Sequence, residues 1–243
     1  MKQSFFTIES NREIAADVME MVLSGDTSAI SAAGQFVNIQ IDGLFLRRPI
    51  SVCDVDENRL TIIYKVVGEG TRAMRSYKKG HTLDILTGLG NGYEIPKDVK
   101  KPLLMGGGAG VPPMYKLCKV LLEAGKTPSV ILGFNTKDDV FYEEEFKKLG
   151  VETFVTTADG SYGIRGFVTD AMDKATYDYF FTCGPEPMLR AVYDKSTTEG
   201  QFSFEERMGC GFGACMGCSC KTKYGNKRIC RDGPVLKKEE VIW

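Results

Sequence analysis

One short stretch near the C-terminus restricts this chain more than any other feature: Cys210-Gly-Phe-Gly-Ala-Cys215-Met-Gly-Cys218-Ser-Cys220. Together with Cys230 in Arg228-Ile-Cys230-Arg-Asp-Gly-Pro, the thiols Cys210, Cys215, Cys218 and Cys230 follow a C-x4-C-x2-C spacing with a distant fourth. That is the plant-type spacing that holds a [2Fe–2S] cluster. Glycines at 209, 211, 213 and 217 lack a Cβ, so the backbone can curl around an inorganic core and aim N–H groups at anionic sulfur. Rival uses fit these residues less well. A structural zinc site shows two short, well-separated Cys pairs, and only Cys215/Cys218 has that form. A disulfide framework belongs to secreted chains, yet Met1-Lys-Gln-Ser-Phe-Phe-Thr-Ile-Glu reads as a strand rather than a signal peptide. Cys220 is the surplus thiol; it competes with Cys218 by spacing and is read as a non-ligand.

The remainder must supply what such a cluster exchanges electrons with. A chain of 243 residues has room for two domains and a small appendage, at roughly 100–200 residues per domain. Hydrophobic content of 43% and charged content of 26% describe a soluble globular protein. A net charge of −1 without long basic runs argues against nucleic acid or an anionic membrane as partner. No apolar run approaches the ~20 residues of a membrane span, so a cytoplasmic location is expected. The chain has a single histidine, His81, which leaves little for a Ser-His-Asp or Cys-His hydrolase. Chemistry run by bound cofactors suits this composition better.

Residues 1–98 read as short strands separated by turns: Phe5–Ile8, Asp17–Leu23, Gln35–Ile41, Arg48–Val52, Leu60–Val67 and His81–Leu86. This predicts an antiparallel β-barrel or sandwich. Between 99 and 200 the pattern alternates, with strands at 101–105, 129–134, 152–157 and 179–183 and helices over 114–124, 140–149, 167–174 and 187–195. Such alternation predicts an α/β doubly wound parallel sheet. Residues 201–243 open on a strand-like Phe202-Ser-Phe204 and become the cysteine module. That module is too small and glycine-rich to bury its own core, so the metal is expected to supply much of its folding energy.

Three further constellations carry chemistry. Gly106-Gly107-Gly108-Ala109-Gly110 follows a strand and precedes a helix opened by Pro112-Pro113. It is either a phosphate-approach loop at a helix N-terminus or a tight strand-to-helix turn. Its spacing is not G-x-G-x-x-G. Thr182-Cys183-Gly184-Pro185 ends a later strand, where ligands bind in open α/β sheets. Cys183 there is either poised over a reactive ring or a small buried hydrophobe. In the barrel region, Arg47-Arg48-Pro49-Ile50-Ser51 offers guanidinium groups for phosphate and a hydroxyl for a ring nitrogen. Gly68-Glu69-Gly70-Thr71 supplies bare N–H groups before a helix over 72–76; alone, it would read as a turn with a Thr N-cap.

In that order, Arg48-Pro49-Ile50-Ser51, Gly70-Thr71, the Gly106-to-Pro113 loop and Cys183-Gly184-Pro185 resemble the ferredoxin–NADP reductase superfamily. The four-cysteine tail narrows the resemblance to the electron-transfer subunits of type B dihydroorotate dehydrogenases, over essentially the whole chain. The resemblance implies a barrel holding FAD, an NAD-binding domain and a [2Fe–2S] cluster. It also implies an FMN-containing partner subunit that oxidises dihydroorotate in pyrimidine synthesis, with two copies of each subunit. On this analogy Arg48 contacts the FAD pyrophosphate, Pro49, Ile50 and Ser51 the flavin, and Gly70-Thr71 its phosphates. Ile62, Ile63, Tyr64, Lys65 and Val66 line the flavin, and Gly90-Asn91-Gly92 approach it from the barrel's end. Gly107, Gly108, Ala109, Gly110, Cys183 and Gly184 serve NAD. Ile50 departs from the wider superfamily, many of whose members place a flavin-stacking Tyr there.

The expected function is passage of electrons from the partner through the cluster and FAD to NAD⁺, with no side chain assigned as acid or base. One alternative is the reductase subunit of another NAD(P)H-linked flavin/iron–sulfur complex. Another is a zinc-binding redox-sensing regulator. No basic cluster marks a 2′-phosphate pocket. Met208 and Trp243 are read as packing residues, with a partner surface as the other reading.

Overall fold

The computed structural model describes all 243 residues, Met1–Trp243. Six N-terminal strands, β1 (Lys2–Ala15), β2 (Val18–Ser24), β3 (Phe36–Ile39), β4 (Arg48–Asp56), β5 (Arg59–Lys65) and β6 (Thr82–Leu89), close in the order β1-β2-β5-β4-β3-β6. All pairings are antiparallel. In β6 the inward residues Leu83, Ile85, Thr87 and Leu89 alternate with less buried ones, as a pleated strand with one core face requires. Phe6, Met21, Leu23, Val37, Ile39, Val52, Leu60 and Ile62 complete the interior. Each fully buried apolar side chain contributes roughly 1.5–3 kcal/mol. Helix α1 (Glu69–Ser76) joins β5 to β6 and drops Met74 into the same core. It begins two residues before Thr71, so Thr71 is not its N-cap. The Thr71 hydroxyl instead accepts the N–H groups of Val67 and Gly68 at 3.0 and 3.1 Å.

The parallel sheet comprises β7 (Pro102–Gly107), β8 (Ser129–Phe134), β9 (Glu152–Thr157), β10 (Ile164–Arg165), β11 (Tyr179–Cys183) and β12 (Gly200–Ser203), ordered β10-β9-β8-β7-β11-β12. From β7 the chain winds outward through β8, β9 and β10, then returns to β11 on the other side of β7. The strand order therefore reverses between β7 and β11, the switch point where α/β sheets bind ligands. Helix α2 (Val111–Glu123) buries Val111, Met114, Leu117, Cys118 and Leu121, one stripe at helical spacing. It begins at Val111 rather than at 114, because prolines in a first turn forfeit no hydrogen bond. With α3 (Glu143–Lys148) it packs on the barrel side of the sheet, while α4 (Val168–Ala171) and α5 (Glu186–Lys195) pack on the other.

Two helices are shorter than the sequence pattern implied. In place of 140–149, a 3₁₀ turn (Lys137–Asp139) and an extended Val140 precede Tyr142, whose backbone is left-handed at φ 66°, before α3 begins. Such a backbone costs an L-residue about 1–2 kcal/mol. In place of 167–174, α4 passes into a 3₁₀ turn at Met172–Lys174.

The cysteine module contains the hairpin β13 (Ser219–Thr222) and β14 (Gly225–Arg228), helix α6 (Ile229–Asp232) and β15 (Val235–Lys237). It is not free-standing. Strand β15 pairs antiparallel with β12, so the strand foreseen at 202–204 lies at Gly200–Ser203 and belongs to the sheet. Ile229, Leu236 and Val241 share a core with Phe36 of the barrel and with Leu103 and Phe202. Apolar docking thus shares the task that the sequence reading gave largely to metal. No helix is long and apolar enough to cross a membrane.

Candidate electron-transfer site

A cleft of about 560 Å³ opens between barrel and sheet. One wall is Val18 with Ile63, Tyr64 and Lys65 at the end of β5. Opposite stand Gly107, Gly108 and Ala109 after β7, Gly133 to Asn135 at the end of β8, and Pro185, Pro187 and Met188 after β11. Six sequence-predicted residues therefore meet in one space: Ile63, Tyr64, Lys65, Gly107, Gly108 and Ala109. Both walls are largely apolar, which suits a planar ring with its polar ends reaching backbone groups.

Arg48 to Ser51 open β4 and pair with β3, ahead of the β4–β5 pairing that begins at Val52, and they are not among the residues lining the cleft. The Arg48 side chain lies across Gly70; a Cβ there would sit 2.2 Å from Arg48 Nε. The Arg-Pro-Ile-Ser strand and the Gly70-Thr71 turn are thus one surface. The two arginines divide their work. Arg47 forms a two-pronged pair with Asp84 on β6, at 3.1 Å (Nη1–Oδ1) and 2.9 Å (Nη2–Oδ2). Arg48 has no carboxylate partner, so its charge is available to a phosphate. An anion-ready Arg, bare glycines at a helix start and an apolar cleft together fit a flavin dinucleotide.

On the nucleotide side the two predicted loops touch. A Cβ on Gly110 would lie 2.1 Å from the Cys183 carbonyl oxygen, so only glycine lets the loops close. Cys183 itself is 2% exposed. Burial, and then the nearby Glu205 charge, push its thiol up to about 12, against a hydrogen bond from Ser203. It is a buried neutral thiol packed under the loop.

The sequence reading passed over Glu205. Glu205 lines the cleft two residues beyond β12 and stays exposed to solvent, with partial desolvation by its neighbours shifting its pKa up. An acid just past an apolar strand at the ligand edge was the signal that could have found it.

Gly90 and Asn91 hold the cysteine module. Asn91 receives the Val235 N–H on Oδ1 at 3.1 Å and donates Nδ2 to the Val235 carbonyl at 2.8 Å. A Cβ on Gly90 would lie 2.6 Å from Pro234.

The four predicted thiols form two pairs. Cys210 Sγ accepts the N–H groups of Ala214 and Cys215 at 3.2 and 3.4 Å, and Cys215 Sγ accepts that of Cys210 at 3.5 Å. Cys218 Sγ accepts the N–H of Cys230 at 3.4 Å. Burial opposes a Cys210 thiolate, yet N–H groups aimed at it, led by that of Phe212, bring its pKa down to about 6. Nowhere do three His, Cys, Asp or Glu side chains converge on one ion position. Two thiol pairs suit a two-iron core with two cysteines per iron; one tetrahedral zinc would need all four at a point. Gly211 and Gly213, at φ 78° and 91°, make the curl possible. Cys220 lies in the hairpin opposite Lys227, outside both pairs. The loop is pinned to the barrel by Asn38, whose Nδ2 donates to the Cys210 carbonyl at 3.2 Å.

A closed barrel, a parallel nucleotide sheet and a paired-thiol module around one cleft define an NAD-linked iron–sulfur reductase of the ferredoxin-reductase fold. Comparison with known proteins narrows this. Residues 205–242 match the "Iron-sulfur cluster binding domain of dihydroorotate dehydrogenase B", and residues 104–194 match the "Oxidoreductase NAD-binding domain". The Fusobacterium nucleatum protein "Dihydroorotate dehydrogenase B (NAD(+)), electron transfer subunit" is 46% identical, covering 99% of each chain. Its Bacillus pumilus namesake is 44% identical over 99% of this chain and 98% of its own. Among solved structures, a chain of the NADH-dependent reduced ferredoxin–NADP oxidoreductase, described for flavin-based electron bifurcation, superposes with TM-score 0.89 and 34% identity, covering 98% of this chain and 90% of that one. The chain belongs to the family of dihydroorotate dehydrogenase B (NAD⁺) electron transfer subunits.

Proposed function

We propose that this chain carries electrons from an FMN-containing, dihydroorotate-oxidising partner subunit to NAD⁺. FAD is held by residues 1–98, NAD by 99–200 and the [2Fe–2S] cluster by 201–243. Arg48 and Gly70-Thr71 receive the FAD phosphates, Pro49, Ile50 and Ser51 face the flavin edge, and Ile63, Tyr64 and Lys65 line the ring. Gly107 to Gly110 admit the NAD phosphates with Cys183-Gly184 beneath, and Gly90-Asn91 support the module that brings Cys210, Cys215, Cys218 and Cys230 to the barrel. Bound in these places, the three groups supply the exchange between single electrons and hydride. The residues themselves orient the groups and keep water from the cleft.

The observation that carries the reading is the pair of thiol pairs, pinned by Asn38 to the barrel that bears the Arg48 strand. Phe212 and Met216 stand 44% and 55% exposed on the cysteine loop, an apolar surface suited to a partner next to the cluster. The complex is assigned two copies of each subunit and a cytoplasmic location.

The test is co-expression with the candidate catalytic subunit and anaerobic purification. Flavin bands, equal iron and acid-labile sulfide, a mass equal to two of each chain and dihydroorotate-dependent NAD⁺ reduction are expected. A colourless complex, or NAD⁺ reduction that persists without this chain, would overturn the reading.

A further inference from the structure

One short segment after β8, residues 137–142, is bridged three times to the barrel. Ala16 donates its N–H to the Asp138 carbonyl at 3.1 Å, and Lys65 Nζ lies 3.7 Å from Asp139 Oδ1. Tyr142 Oη donates to Glu20 Oε2 at 2.9 Å. Glu20 is only 8% exposed, and its other oxygen is held by Arg12 at 2.6 Å. The same segment turns Asp139 and Phe141 into the cleft, facing Val18 and Lys65 of the barrel.

Tyr142 is the unusual member. Its φ of 66° and ψ of 5° are values that tyrosine avoids. Its ring stands edge-on to Tyr115 at 5.1 Å, and burial beside the Cys53 thiol and Glu20 pushes its own pKa up, so the hydroxyl keeps its proton as a donor. A side chain is retained at such a backbone only where its surroundings over-determine it. Glycine would sit there without strain; what tyrosine adds is a hydroxyl that reaches the barrel's buried carboxylate.

We propose that Tyr142 is a positioning residue for the nicotinamide-nucleotide site. Its bond to Glu20 latches segment 137–142 across the cleft, so that Asp139 and Phe141 stand at a fixed distance from Ile63, Tyr64 and Lys65. Nucleotide then meets a site already closed to its working width. The inference rests on the cleft being the flavin and nicotinamide site; the latch itself does not.

The test uses the assembled, cofactor-loaded complex. Tyr142→Phe is expected to raise KM for NADH in dye reduction about five-fold, the factor one hydrogen bond of ordinary net strength supplies. Its kcat stays within about two-fold, since uniform binding rather than transition-state binding is lost. Flavin and iron contents match the parent, and hydrogen exchange accelerates in 137–146 but not in β7 or β11. Glu20→Leu reproduces Tyr142→Phe, and the double variant is no worse than either single change, as for two halves of one interaction. An unchanged KM in Tyr142→Phe, or summed effects in the double variant, overturns the proposal. Faster exchange with unchanged KM overturns it too, while sparing the reading of the cleft. If the parent complex fails to bind NADH, that reading falls and takes the proposal with it, even where exchange still reports the latch.

Discussion

Gly110 shows how one absent methyl group lets the loops after β7 and β11 close on each other. Alanine there must move the Cys183 carbonyl, since its Cβ would sit 2.1 Å away. Gly110→Ala should cost about 1–3 kcal/mol, the usual range for overpacking, measured as a lowered urea midpoint, and should weaken NADH binding as the loops part. Glu205 makes a different prediction. Its pKa is shifted up, so folding favours the protonated form relative to the unfolded chain. Stability from this group is therefore full below the ordinary carboxyl range and declines as pH rises through the raised value. A wild-type profile of kcat/KM for NADH oxidation should bend above the ordinary glutamate value of about 4.3, and Glu205→Gln should remove the bend. A bend that survives the substitution assigns it to another group. At this scale the sequence was legible where identity alone dictates chemistry, as with the paired cysteines and the bare glycines. It was silent about Glu205, Asn38 and Tyr142, whose roles arise only from what the fold sets opposite them.

Strands and helices were legible in proportion to their unbroken apolar content. Strands β8 and β11 fall at the residues that the β-branched and aromatic runs indicated, because their apolar centres are covered on both faces, and β9 does so although it starts on an exposed Glu152 and carries three threonines. Strand β15 was missed: with only three residues, its pairing with β12 is set by tertiary contacts. Residues 140–142 read as the start of the helix over 140–149, yet the ties of this segment to the barrel hold them out of α3. Arg47 is an element-scale correction, a phosphate candidate by sequence that instead ties the β3–β4 connection to β6. Both side chains of the pair, Arg47 and Asp84, are less than one-quarter exposed. The Arg47 hydrogen bond holds the Asp84 carboxyl below the usual range, so its stabilisation is present above the ordinary aspartate value and is lost as pH falls below it. Asp84→Asn should therefore cost about 1.5–3 kcal/mol near neutrality, the range for hydrogen bonds to charged groups. Its urea midpoint should converge with that of the parent in acid. Arg47→Lys, which keeps charge without the fork, should fall between. Equal gaps at both pH values would show that packing, not the ion pair, carries the effect.

The whole molecule is tied together by cores that ignore the boundaries between its parts. Val18, Cys53 and Ile63 of the barrel pack with Leu104, Met114 and Phe141 of the nucleotide domain. Phe36 of the barrel joins Leu103 of the sheet and Ile229, Leu236 and Val241 of the cysteine module. The only tryptophan, Trp243, reports on this union, because its ring lies 5.7 Å from Phe204 and 6.3 Å from Phe202. Three separable domains would unfold in steps, and a module held mainly by iron would let go first when the metal is stripped. Continuous cores predict otherwise. Urea unfolding followed by Trp243 fluorescence should coincide with unfolding followed by far-ultraviolet circular dichroism, the signature of one cooperative unit. Chelating the iron should move both midpoints down together, because a ligand bound only by the folded state stabilises whatever unfolds with its site. A fluorescence change that precedes the loss of secondary structure would mean that the module detaches alone. The distance from cluster to flavin would then vary with every such opening, whereas a shared core keeps it constant while the cofactors change charge.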